Sequence, residues 1–87
     1  MPATTQPVVG LPAGVKTQLI WSSLRFKDFQ VVFSVPGVDI KWERNSSLPP
    51  WHTFGNHFSS KPFWVVLAGV YCNFWLTSPV DMTATIS

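Results

Sequence analysis

Between Lys61 and Asp81 runs a charge-free, largely apolar stretch, PFWVVLAGVYCNFWLTSPV (residues 62–80), and the way it hides its side chains constrains everything else. As a helix rising about 1.5 Å per residue it reaches about 28 Å, close to the ~30 Å of a bilayer's hydrocarbon core. Ser59 or Ser60 then caps the start, Pro62 occupies the first turn and Pro79 stops the helix. The composition favours a strand instead. Val65, Val66, Val70 and Val80 are β-branched, and Phe63, Trp64, Tyr71, Phe74 and Trp75 are aromatic, which are the types that fit a pleated surface. Every even position from Trp64 to Leu76 is apolar, whereas the odd positions begin apolar and become mixed. This predicts one long strand over residues 63–77, buried on one face throughout, with Gly69 as the place for a bulge or bend.

The following residues support that choice. Val80, Met82, Ala84 and Ile86 alternate with Asp81, Thr83, Thr85 and Ser87, as a second antiparallel strand over residues 80–86 requires. Thr77-Ser78-Pro79 supplies the turn between them. Upstream, Phe29, Val31, Phe33 and Val35 alternate with mostly polar neighbours, Pro36-Gly37 follows, and Val38, Ile40 and Trp42 alternate with Asp39, Lys41 and Glu43. Pro presets φ for a first turn position and Gly supplies positive φ at the second, so residues 29–43 read as a β-hairpin. Asp39, Lys41 and Glu43 should then face water, and Val38, Ile40 and Trp42 a core. A further strand is expected over residues 17–26, and residues 44–61, rich in Pro, Ser and Asn, read as a long loop. Residues 1–14 carry three Pro, two Gly and no charge, which reads as an extended arm preceding a single small β domain over residues 15–87.

Composition limits the function. The 87 residues are 46% hydrophobic and 15% aromatic but only 11% charged, against about 25% charged in ordinary soluble domains. Five Trp exceed what so small a core can enclose, so another protein chain or a lipid is expected to cover some of them. A net charge of +2 marks no nucleic-acid surface. Arg25, Lys27, Lys41, Arg44, Trp42 and Trp51 have acidic Asp28, Asp39 and Glu43 interleaved among them, and read as a solvated sheet face rather than a strand-binding groove. The N-terminus lacks the charged-then-apolar pattern of a secretory signal.

No residue set announces catalysis. His52 and His57 have the spacing of half a zinc finger, but the single Cys72 supplies no second half, so no metal or cofactor is expected. Cys72 lies in the most apolar stretch and reads as a small buried hydrophobe. Asn45-Ser46-Ser47 matches a glycosylation acceptor. Four scattered carboxylates and the absence of a Gly-rich phosphate loop leave no enzyme signature. The residues expected to meet partners are Val8, Val9 and Leu11 in the arm and Trp51, Phe54 and Phe58 in the loop.

The expectation is therefore an all-β fold, a small antiparallel sheet or partial sandwich with a Pro-rich arm. In general pattern this run of strands resembles the later part of a jelly-roll coat-protein domain, a likeness of architecture with no motif behind it. The expected function is that of a non-enzymatic structural subunit, coat- or capsid-like or complex-stabilising, whose exposed aromatics and N-terminal arm are completed by other protein subunits. The alternative is a single-pass membrane accessory subunit with a helix over residues 62–80. Its basic residues all precede the span and Asp81 follows it, which places the N-terminus on the cytoplasmic side.

Overall fold

The computed structural model describes residues 8–19, 28–66 and 72–87. Eight strands follow one another: β1 (Val8–Leu11), β2 (Thr17–Gln18), β3 (Phe29–Phe33), β4 (Asp39–Ser46), β5 (His52–Phe58), β6 (Phe63–Val65), β7 (Cys72–Thr77) and β8 (Met82–Ile86). They form two four-stranded antiparallel sheets, ordered β1-β8-β3-β6 and β2-β7-β4-β5. The pairing is that of a chain doubled back on itself at the β4–β5 link. First pairs with eighth, second with seventh, third with sixth and fourth with fifth. Contacts β3–β8 and β4–β7 then roll the doubled ribbon into two sheets. That connectivity is the jelly roll, here complete rather than its later part.

Alternation decides which side chains meet between the sheets. Phe29, Val31 and Phe33 of β3 and Met82, Ala84 and Ile86 of β8 are buried from one side, and Ile40 of β4 and Cys72, Phe74 and Leu76 of β7 from the other. The two layers are joined by aromatic rings. Phe74 meets Phe29 edge-on at 5.9 Å between centroids, and Phe63 of β6 lies 5.9 Å from Phe74 and 6.0 Å from Trp42 of β4.

Several expectations need correction. Residues 62–80 form neither a membrane-spanning helix nor one long strand. They contain β6 and β7, which belong to opposite sheets, and no helix among the described residues is long and apolar enough to cross a membrane. The inward parity changes between these strands: Val65 is buried while Trp64 and Val66 are exposed, yet in β7 the even positions Cys72, Phe74 and Leu76 point inward. The Gly69 bend lies outside the described residues.

Residues 29–43 are not a hairpin. β3 pairs with β6 and β8, β4 pairs with β5 and β7, and residues 34–38 cross from one sheet to the other. Gly37 does adopt positive φ (81°), as the Pro-Gly reading requires. Its turn is an arch, held by Gly37 N–H donating to Ser60 Oγ (2.9 Å) and Val38 N–H to Ser59 Oγ (3.0 Å). A Pro-Gly turn matches in-plane hairpin twist less well than primed turns do, and crossing between sheets makes no such demand. The strand over 80–86 likewise leaves its neighbour's sheet: β8 pairs with β1 and β3.

The loop expected over 44–61 shrinks to residues 47–51 and 59–61, because β4 runs to Ser46 and β5 occupies His52–Phe58. Of the strand expected over 17–26, only Thr17–Gln18 lies in β2, and residues 20–27 are outside the described residues. Residues 8–14, expected in the arm, are β1 and a turn docked on the same chain. Gly14 N–H donates to the Ser78 carbonyl (2.8 Å) and Ala13 N–H to Asp81 Oδ1 (2.8 Å). Pro12 is tolerated because it falls just after an edge strand.

Candidate functional site

The outward face of the β2-β7-β4-β5 sheet carries the most organised cluster of side chains among the described residues. Lys41 and Glu43 of β4 point away from the core because Ile40 and Trp42 point into it. The register sets Phe54 of β5 and Trp75 of β7 on either side of Glu43, and Asn56 and Thr77 on either side of Lys41. Strands about 4.8 Å apart leave the Phe54 and Trp75 backbones about 10 Å from each other, with β4 as the floor between them. The result is an open cleft of about 430 Å³, completed by Lys16, His52, Trp42 and Gly55. Gly55 is opposite Trp42, whose ring lies where a Cβ would stand, 2.9 Å away.

Glu43 is held from both sides. Lys16 Nζ lies 2.8 Å from its Oε1 and His52 Nε2 2.8 Å from its Oε2. Lys16 above all, and then His52, keeps the Glu43 carboxyl below its ordinary value of 4.5. Lys16 Nζ also stands 4.6 Å over the Trp75 ring, a cation–π contact, and the His52 ring leans on Phe54 at 5.7 Å. Gln18 Nε2 donates to Asn73 Oδ1 at 3.0 Å farther along the same face. A carboxylate so engaged is a poor general base and a well-positioned hydrogen-bond acceptor.

The residues singled out from sequence are dispersed. Val8 is exposed on β1 and Val9 half-buried, while Leu11 is fully enclosed in the chain's own core and offers nothing to a partner. Trp51, Phe54 and Phe58 are 64%, 75% and 49% exposed. His52 and His57 fall on opposite faces of β5 and cannot share a metal ion. His57 stacks on Phe63 at 4.4 Å, and its Nε2–H donates to the Lys61 carbonyl at 2.8 Å. Cys72 is a free, buried thiol pushed up by burial, consistent with a packing role. Arg44 departs from the solvated face: it shares the parity of Trp42, is half-buried, and its Nη1 donates to the Val66 carbonyl at 3.3 Å. Arg25 and Lys27 lie outside the described residues. Asn45 is exposed on β4 beside His52.

Sequence reasoning missed Lys16, Glu43 and Trp75 as one cluster. Their outward parity was readable, but their adjacency comes from strand pairing across 32 positions between Glu43 and Trp75 and 57 positions between Gln18, close to Lys16, and Trp75.

The distribution of charge between edges and centre is unusual. The four edge strands, β1, β6, β2 and β5, contain no Asp, Glu, Lys or Arg, whereas central β4 carries Asp39, Lys41, Glu43 and Arg44. No protein-family model matches the chain, and neither a curated protein nor a solved structure matches it.

Proposed function

We propose that this protein is a non-enzymatic structural subunit of a larger protein assembly, coat- or capsid-like in kind. The observation that carries this reading is the uncharged edges. An exposed edge strand is a template for pairing with another chain, and solitary proteins blunt it with Lys, Pro, bulges or very short strands. Here β5 is a seven-residue edge with no Asp, Glu, Lys or Arg, carrying exposed Phe54 and Phe58 and preceded by exposed Trp51. Exposed Trp64 and Val66 beside edge strand β6 add a second apolar margin. Pairing by neighbouring copies satisfies the open backbone groups and covers the Trp51 and Phe58 rings.

Sedimentation velocity of the isolated chain over a concentration series tests this. Concentration-dependent oligomers are expected, and Phe58→Lys together with Trp51→Lys should shift them toward single copies while circular dichroism stays β-type. A single copy at every concentration would overturn the proposal.

A further inference from the structure

The cleft around Glu43 has a chemistry of its own that edge-to-edge assembly does not use. Strand pairing at β5 extends the sheet in its plane and leaves the outward face open. We propose that this cleft binds a neutral saccharide, a pyranose unit seated on β4 between Trp75 and Phe54.

The choice of ligand class follows by elimination from the lining. A purely apolar ligand would strip water from the Lys16–Glu43–His52 cluster without replacing its hydrogen bonds, at a cost apolar contact does not repay. An anion such as a phosphate would meet the Glu43 carboxylate at the centre, and a cation would meet Lys16 and Lys41. A neutral polyol conflicts with none of them. Its hydroxyls donate to Glu43, whose two oxygens each keep acceptor capacity beyond the one contact they make, and accept from the Lys41 ammonium and the Asn56 amide. Its C–H face has the exposed Phe54 ring on one side and Trp75 on the other, with a spacing of about 10 Å between the two flanking backbones. The cleft's volume of about 430 Å³ is within the range of small-ligand sites. The Lys16 ion pair and the His52 contact hold the acceptor in place before the ligand arrives, so less ordering is required on binding.

The test titrates the intact protein with maltotriose, cellotriose, mannotriose and a desialylated N-glycan, following the Trp75 indole N–H resonance. That signal is assigned by its disappearance in Trp75→Phe. A saturable shift with at least one neutral sugar is expected, with the free trisaccharides and the branched glycan separating a short-chain from a glycoprotein source. Glu43→Gln should weaken binding about tenfold or more, from the loss of hydrogen bonds to a charged acceptor. Phe54→Leu, at an exposed position where folding is not at stake, should weaken it severalfold. Trp51→Ala should leave it unchanged. Absence of any shift with the whole panel overturns the proposal, as does a shift with inorganic phosphate but none of the sugars. Undiminished binding in both Glu43→Gln and Phe54→Leu would also overturn it.

Discussion

Gly55 shows how one missing methyl group shapes the site. In an edge strand a glycine ordinarily weakens the sheet, but here the Trp42 ring occupies the space beside it, held in turn by Phe63 and Phe74. A Cβ at residue 55 would stand 2.9–3.0 Å from three atoms of that ring, which is pinned and cannot swing away. Gly55→Ala is therefore expected to lower stability by about 1–3 kcal/mol, the cost of overpacking, read from urea unfolding midpoints. Glu43 supplies a second expectation at this scale. Its folded-state pKa is depressed, so its ion pairs stabilise the fold above the ordinary value of 4.5 and that contribution is lost as pH falls through the lower, folded value. The thermal midpoint should drop across that acid window in the wild type, and the drop should be smaller in Glu43→Gln. Both partners are partly exposed, so the difference will be modest and will shrink further with added salt.

At the scale of elements, strand and turn character were readable and strand partners were not. The alternation Phe29-Val31-Phe33 and Val38-Ile40-Trp42 did identify buried faces, and Gly37 did take the positive φ expected of it. Whether the chain then folds back in the plane of one sheet or arches over to another depends on which distant strand waits there. Crosslinking separates the two. In a Cys72→Ala background, Lys41→Cys with Asn56→Cys places thiols on outward register partners and should oxidise to a disulfide. Val32→Cys with Lys41→Cys, opposite each other in a hairpin about Pro36-Gly37, should not, because those residues lie on the outer faces of different sheets. Mass measurement under oxidising conditions reports either outcome. The same logic explains why 44–61 read as a loop: β5 alternates His52, Phe54, Asn56 and Phe58 outward with Thr53, Gly55 and His57 inward, and neither set has the apolar character that marks a strand.

At the scale of the whole molecule, among the described residues only β4 and β5 pair as neighbours along the chain, while the other five pairings join strands separated by others. Loop closure must precede most of the stabilising contacts, so refolding from denaturant should take milliseconds to seconds rather than microseconds. Stopped-flow Trp fluorescence checks this, and a microsecond phase accounting for the full amplitude would contradict it. Slow closure leaves uncharged edges open for that time, which makes association during folding the main hazard for the isolated chain.

By itself the sequence determined that this chain is built of strands, that Ile40, Phe74, Leu76, Ala84 and Ile86 face inward, and that its aromatic content exceeds its core. These are consequences of residue type and of a two-residue period, which act locally. Only the tertiary structure decided that 63–77 divides between two sheets, that Leu11 closes the core rather than meeting a partner, and that Lys16, Glu43, His52 and Trp75 share one cleft. The physical reason is that the backbone hydrogen bonds that join a strand to its sheet are satisfied equally well by any antiparallel neighbour. Choice among neighbours rests on how the rings of Phe29, Trp42, Phe63 and Phe74 fill the space between two sheets at once, a property of the assembled sandwich and of no single segment.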